Sequence, residues 1–202
     1  QEPRLTLLIA AGVNLNSGCP DTGSIMGRNL FVIGGARSGK SAYAEQLATD
    51  NFRALNHADA SLYYLATAQA FDQEMQARID LHQKRRNADW QTIDAPIDLP
   101  EKLVDCSHQQ AVILVDCLSI WTTNLLIAEA DIAQARDNFV KAVTESPATI
   151  IMVASETGLG IVPDTALSRR FRDANGITNQ VIAHLADEVY FIVAAIAQKI
   201  KP

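Results

Sequence analysis

The chain has 202 residues, of which 48 % are apolar and 20 % are charged, and it carries a formal net charge of −6 at pH 7. This length suits one well-buried domain and is short for two. The acidic balance argues against a general affinity for nucleic acid or for an anionic membrane, so an anionic substrate would need a local basic patch.

The cysteines indicate a reducing compartment. Cys19, Cys106 and Cys117 are odd in number, and no two of them have C-x-x-C spacing. This pattern argues against a disulfide framework and against a zinc site.

Residues 1–28 are the hardest part of the chain to interpret. An apolar run at 5–11 follows Arg4, and residues 15–19 faintly resemble a lipoprotein cleavage site. The run is far shorter than the roughly 20 residues of a membrane span, and it is marginal as a secretory signal. We therefore expect an N-terminal extension, either an extra strand or a loose leader. A single catalytic domain over residues 29–202 would follow it, in a cytoplasmic protein.

The strongest motif directly follows the first predicted strand, residues 30–33, and precedes a helical segment at 42–48. It reads G-x-x-x-x-G-K-S and consists of Gly34, Gly35, Ala36, Arg37, Ser38, Gly39, Lys40 and Ser41. Glycines let backbone N–H groups turn toward phosphate oxygens, and the helix N-terminus adds partial positive charge. Lys40 would reach the β- and γ-phosphates, and the Ser41 hydroxyl would bind Mg²⁺. A nucleotide site is favoured over a glycine-rich turn that binds nothing.

Beyond this motif, short apolar runs alternate with helical stretches. The runs predict strands at 62–67, 112–116, 149–154 and 188–193, and the helices are predicted at 71–88, at 118–145 with a break near 130–131, and at 164–186. Near-continuous apolar strands suit a mostly parallel sheet that helices cover on both faces, which is an α/β fold. Ligands gather at the carboxyl ends of such strands. The phosphate loop would lie there with Thr67, Ala68, Gln69, Asp116 and residues 155–163.

A basic cluster lies on the helix predicted at 71–88. Arg78, His82 and Arg85 or Arg86 stand at i, i+4 and i+7 or i+8, and so share one helix face. Neighbouring cations disfavour the imidazolium, which would keep His82 neutral and nucleophilic while they hold a polyphosphate. A solvated helix face with one histidine is the alternative, and spacing alone favours it. We interpret His57, His108 and His184 as surface or packing residues.

Two further features each have two interpretations. Asp116 closes a buried strand, where P-loop enzymes hold the acid that binds Mg²⁺, but an acid there can also cap the next helix. Residues 155–163 form a glycine-bearing loop before a helix that carries Arg169, Arg170 and Arg172. This loop is either a lid over substrate or a plain strand-to-helix connection.

Several motifs occur together and in order from about residue 29 to residue 201. Besides the phosphate loop they are L-A-T-A-Q at 65–69, E-M-x-x-R-I-x-x-H at 74–82, Trp90, V-D-C-L-x-x-W-x-x-N-L-L at 115–126, E-x-G-x-G-I-V-P at 156–163, R-F-R-D at 170–173, N-Q at 179–180 and A-D-E-V-Y at 186–190. This set resembles the bifunctional adenosylcobinamide kinase/adenosylcobinamide-phosphate guanylyltransferases of cobalamin nucleotide-loop assembly. Departures occur at Thr157 and Leu159, at 197–198 and in an apparent insertion at 51–60, and nothing in the family matches the segment before Met26.

The resemblance implies a RecA-like P-loop fold, a homotrimer and a His82 that becomes guanylylated. It also implies nucleotide contacts from residues 34–41 and from Thr67, Ala68, Gln69, Gln83, Lys84, Arg85, Arg86, Asp94 and Asp116. Mg²⁺ would bind at Ser41 and Asp116, with GTP and ATP as co-substrates and adenosylcobinamide and its phosphate as acceptors. No stable membrane insertion is expected.

Two other classes remain open. A plain small-molecule kinase would use the phosphate loop without a covalent His82. A GTP-binding regulatory module would ordinarily carry an N-K-x-D guanine motif, and no lysine of the chain stands in one.

Overall fold

A seven-stranded sheet of order β3-β2-β4-β5-β1-β6-β7 forms the centre of the computed structural model, which describes residues 27–69 and 87–202. Along the chain the elements are β1 (Asn29–Gly34), α1 (Lys40–Leu55), β2 (Ser61–Ala66), β3 (Trp90–Asp94), α2 (Leu99–Asp105), β4 (Ala111–Asp116), α3 (Leu118–Ile127), α4 (Ile132–Glu145), β5 (Thr149–Ser155), α5 (Ala166–Leu185), β6 (Glu188–Val193) and β7 (Ile196–Lys201).

Strands β1 to β6 run parallel, and only β7 is antiparallel, paired with β6. The predicted α/β class with a mostly parallel sheet is therefore confirmed. β1 lies between β5 and β6, with Ile33 opposite Ala154 and Phe191. The phosphate loop consequently leaves the sheet from an interior strand, with neighbouring strand ends on both sides.

The core has two layers, one on each face of the sheet. Successive β1 side chains alternate between them: Phe31 and Ile33 join one layer, and Leu30 and Val32 join the other. Helix α1 covers the second layer through Ala44 and Ala48. Buried side chains of α2, α3, α4 and α5 cover the first layer, and the interior strands, which are covered on both faces, are largely apolar.

The helix boundaries refine the sequence predictions. The predicted break is confirmed, because α3 ends at Ile127 and α4 begins at Ile132, where the Asp131 side chain accepts from the Gln134 N–H at 3.0 Å. The first helix continues to Leu55, so the first half of the apparent insertion at 51–60 is helix. Among the described residues no helix is long and apolar enough to cross a membrane.

Other predictions were incomplete. The helix predicted over 71–88 lies largely outside the described residues. Its last two residues are not helical, because the Asn87 side chain accepts from the Asp89 N–H and its carbonyl accepts from the Trp90 N–H in a turn. The sequence prediction also missed β3, α2 and β7.

Candidate phosphate-binding site

The phosphate loop closes tightly between β1 and α1. The Ser38 N–H donates to the Gly35 carbonyl at 3.3 Å, and the Lys40 Nζ donates to the same carbonyl at 3.2 Å. Gly39 has φ 95°, a left-handed conformation that glycine adopts without steric cost. The lysine side chain therefore folds back along the loop, and the helix begins directly after Gly39.

The inner side of the loop is crowded. A Cβ at Gly34 would lie 2.5 Å from the Ile192 carbonyl oxygen and 2.7 Å from the Ser38 Oγ, so only glycine fits there. The Ser38 Oγ is buried and has no hydrogen-bond partner among the described residues. Because a buried hydroxyl without a partner is unfavourable, this atom suits a ligand oxygen.

Asp116 stands at the carboxyl end of β4, where the Tyr64 O–H donates to its Oδ2 at 3.0 Å. The neighbouring Cys117 thiol is buried, and burial raises its pKa to about 12. The negative charge of Asp116 adds to this rise, whereas the positive charge of Lys40 opposes it. Lys40 at the start of α1 and Asp116 at the end of β4 thus act on the same buried thiol, and the thiol itself stays protonated at neutral pH.

Ser41 and Asp116, the predicted metal ligands, offer a hydroxyl and a carboxylate oxygen, which suit Mg²⁺. Anywhere in residues 27–69 and 87–202, this edge included, no three His, Cys, Asp or Glu side chains group closely enough to hold a metal by themselves. A magnesium ion at this edge would therefore take its remaining ligands from phosphate and water, as Mg²⁺ commonly does.

Thr67 joins the ends of β2 and β4. Its hydroxyl donates to the Cys117 carbonyl and accepts from the Cys117 N–H, both at 2.8 Å. The Asn124 side chain donates to the Thr67 carbonyl at 2.8 Å and to the Pro96 carbonyl at 2.9 Å. The Thr67 side chain thus has a structural role at this edge, and its nucleotide contact stays a prediction.

The other predicted site residues divide into two groups. Asp94 is exposed at the end of β3, and the register places it and Asp116 on either side of Ala66, with half-buried Ala68 and Gln69 following β2. Outside the described residues lie Arg78, His82, Gln83, Lys84, Arg85 and Arg86. The structure thus brings the phosphate loop, Asp116 and Asp94 to one edge of the sheet and describes nothing of the basic cluster.

The loop at 155–163 begins beside the phosphate loop. The Glu156 N–H donates to the Gly34 carbonyl at 3.0 Å, and Asn175 and Asn179 donate to the Ser155 carbonyl at 2.9 and 3.2 Å. Farther along, Leu159 and Ile161 are 84 % and 97 % exposed. The lid role and the role as a plain connection both stay predictions for this loop.

Sequence reasoning missed the supporting residues Tyr64, Asn124 and Asn175. Tyr64 stood in an apolar run that indicated only a strand. Asn124 lies in the motif at 115–126, which assigns it no role, and Asn175 lies in no motif.

Comparison with known proteins agrees with this architecture. The family model "CobU: Cobinamide kinase / cobinamide phosphate guanyltransferase" matches residues 30–200. The bifunctional adenosylcobalamin biosynthesis protein CobP of Pseudomonas aeruginosa is 41 % identical over 173 residues, which cover 85 % of this chain and 96 % of that protein. The bifunctional adenosylcobalamin biosynthesis proteins CobU of Escherichia coli and Salmonella typhimurium are 35 % and 37 % identical over 187 residues, covering 85 % of this chain and 99 % of each relative.

Proposed function

Because the chain belongs to the cobinamide kinase/cobinamide phosphate guanylyltransferase family, we propose that one site serves two successive transfers. In the first, the γ-phosphate of ATP or GTP passes to the aminopropanol hydroxyl of adenosylcobinamide. In the second, GMP passes from GTP to adenosylcobinamide phosphate and gives adenosylcobinamide-GDP.

The phosphate loop is the observation that carries the proposal. Its Lys40 lies against the loop, and its Ser38 hydroxyl is buried without a partner among the described residues. Phosphoryl transfer depends mainly on positioning and charge neutralisation. Lys40 and the loop N–H groups would orient the phosphates, with Ser41 and Asp116 holding Mg²⁺. When bound, Mg²⁺ would neutralise charge that develops on the phosphate oxygens.

The guanylyl transfer requires a nucleophile, and we assign that role to His82 on the resemblance of residues 74–82 to the family motif. The neutral imidazole nitrogen attacks the α-phosphorus of GTP, forming a P–N bond while pyrophosphate leaves. A phosphate oxygen of adenosylcobinamide phosphate then attacks the same phosphorus. The P–N bond breaks and free His82 returns. Arg78, Lys84, Arg85 and Arg86 would offset the charge of the transition states.

Incubation with GTP labelled at the α-phosphate tests the covalent step. We expect protein-bound label that is acid-labile and alkali-stable, as a phosphoramidate is, and that is lost in His82→Ala. His184→Ala is the matched control, because His184 is exposed near the end of α5 and should retain full labelling. Lys40→Ala should impair both the labelling and the kinase step, whereas His82→Ala should leave phosphorylation of adenosylcobinamide measurable.

Full guanylyl transfer by His82→Ala would contradict the covalent role. Kinase activity without any labelling of the wild-type protein would instead favour a plain P-loop kinase.

The homotrimer implied by the resemblance is also a proposal, and light scattering of the purified protein tests it. Cytoplasmic localisation stays a prediction, consistent with the use of nucleoside triphosphates.

A further inference from the structure

The turn between β6 and β7 has an unusual backbone for its residues. Val193 pairs with Ile196, so Ala194 and Ala195 alone form the turn, with φ values of 50° and 63°. Two-residue hairpin turns with both central residues left-handed strongly prefer Asn-Gly or similar pairs. Alanine is disfavoured in this conformation, which persists when the surroundings hold it in place.

The phosphate loop provides the surroundings that hold this turn in place. The Ala195 N–H donates to the Ser38 carbonyl at 2.7 Å. A Cβ built on Gly39 would lie 3.1 Å from the Ala195 Cα and 3.2 Å from its Cβ. The turn therefore touches both residues that immediately precede Lys40.

The far end of the hairpin is fixed to the rest of the molecule. Glu188, at the start of β6, pairs with Arg28 and with Lys199 of β7. The Lys201 Nζ donates to the carbonyls of Ala183 and His184 at 3.1 and 2.9 Å. Because these contacts fix both strands at the end opposite the turn, the turn has a defined position against the loop.

We propose that Ala195 is a positioning residue for the phosphate loop. The C=O and N–H of one trans peptide point in opposite directions. Holding the Ser38 carbonyl on the turn therefore directs the Gly39 N–H away from the turn, where it donates to a nucleotide phosphate. This inference rests on the proposed nucleotide binding at the loop and adds one residue of the β6–β7 turn, Ala195, to that site.

Two matched variants separate positioning from stability. Valine is strained in a left-handed turn, so Ala194→Val and Ala195→Val should both lower the thermal unfolding midpoint. Position 195 donates to the Ser38 carbonyl and lies against Gly39, so Ala195→Val should raise the Kd for GTP and ATP at least tenfold. Ala194→Val adds the same kind of backbone strain without changing the residue that makes these contacts, so its Kd should stay within twofold of wild type. Ala195→Gly keeps the N–H and relieves the strain, and it should bind nucleotide as tightly as wild type with a higher midpoint.

A semisynthetic chain with lactate in place of Ala195 removes the N–H donor and keeps the methyl group. It should also bind nucleotide more weakly, and it supplies the test if the valine variant fails to fold. Wild-type affinity in a folded Ala195→Val or in the lactate chain would overturn the positioning role. Failure of the wild-type protein itself to bind nucleotide would overturn the proposed function instead.

Discussion

Tyr64 bears on the chemistry of the site although it lies within the core. Its O–H donates to the Asp116 carboxylate at 3.0 Å, and its ring packs edge-on against Trp90. A hydrogen bond to one oxygen restricts the rotation of a carboxylate, which prepares the proposed metal ligand for Mg²⁺.

Tyr64→Phe should therefore raise the Mg²⁺ concentration needed for half-maximal kinase activity by about 2- to 10-fold, as expected for one hydrogen bond. The rate at saturating Mg²⁺ should change much less. A magnesium titration of initial rates measures both quantities. Tyr63→Phe is the control, because Tyr63 belongs to the opposite core layer and contacts His108. Equal magnesium titration curves for wild type and Tyr64→Phe would contradict a role of Tyr64 in orienting Asp116 for Mg²⁺.

At the scale of single residues, a sequence indicates most where the partners are close along the chain. The phosphate loop has fixed spacing between a strand and a helix, so its glycines, lysine and serine were identifiable from eight consecutive residues. Tyr64 and Asp116 are 52 positions apart. Nothing local distinguishes Tyr64 from the apolar side chains around it, and only the pairing of β2 with β4 brings its hydroxyl to the acid.

One buried side chain of helix α3, that of Asn124, contacts two loops at the carboxyl edge of the sheet. Asn124 donates to the carbonyls of Thr67 and Pro96, which follow β2 and β3. A carbonyl that loses a buried donor has no water to replace it, so this amide holds two loops and a helix in a fixed arrangement.

Asn124→Ala should lower the free energy of unfolding by about 1–3 kcal/mol, the usual cost of leaving a buried polar group unsatisfied. Urea denaturation followed by circular dichroism measures the change. Asn138→Ala is the matched control on α4, where Asn138 is exposed and contacts Gln134, and it should change stability by less than about 0.5 kcal/mol. Equal losses in the two variants would mean that the buried amide contributes nothing specific.

The elements that sequence reasoning missed share a physical reason. β3 is an edge strand whose Gln91, Thr92 and Asp94 are exposed, and β7 at the opposite edge is mostly exposed as well. Neither has the continuous apolar run of an interior strand. Helix α2 has only seven residues, too few for a clear helical period.

The fold class followed from the alternation of apolar runs and helices, but the strand order did not. β2 follows β1 in the chain and yet lies beyond β5 and β4 in the sheet. Such an order depends on which strands pair across long separations, and composition carries no direct signal of that. The position of β7 beside β6, which places a turn against the phosphate loop, was hidden for the same reason.

One charged cluster connects Arg28, directly before β1, to the last two strands. Glu188 of β6 is buried, accepts from the Tyr190 O–H and pairs with Arg28 and Lys199. The Tyr190 hydrogen bond is the largest influence lowering the pKa of Glu188 from its usual 4.5 to about 2, and Lys199 and Arg28 add to it against the opposing effect of burial. The native state therefore strongly favours the ionised carboxylate.

A carboxyl group with a lowered native pKa stabilises the fold above its unfolded pKa, and that contribution disappears as the pH falls through the native value. For Glu188 the stabilisation should be complete above about pH 4.5 and should be lost between there and about pH 2. Over this range wild type should lose up to about 3 kcal/mol of stability that Glu188→Gln, which cannot ionise, does not lose.

Urea denaturation at a series of pH values between 7 and 2 measures how the free energy of unfolding of each protein falls with pH, here called its acid slope. Each slope is taken within one protein, so a lower starting stability of Glu188→Gln does not affect the comparison. Glu145→Gln is the control. Glu145 is exposed at the end of α4, and its carboxylate is a long 4.0 Å from the Lys141 Nζ, so this ion pair contributes little. This variant should keep the wild-type acid slope. If Glu188→Gln kept that slope too, other carboxyl groups would account for the acid sensitivity, and the ion-pair cluster would not be what holds the sheet edge together.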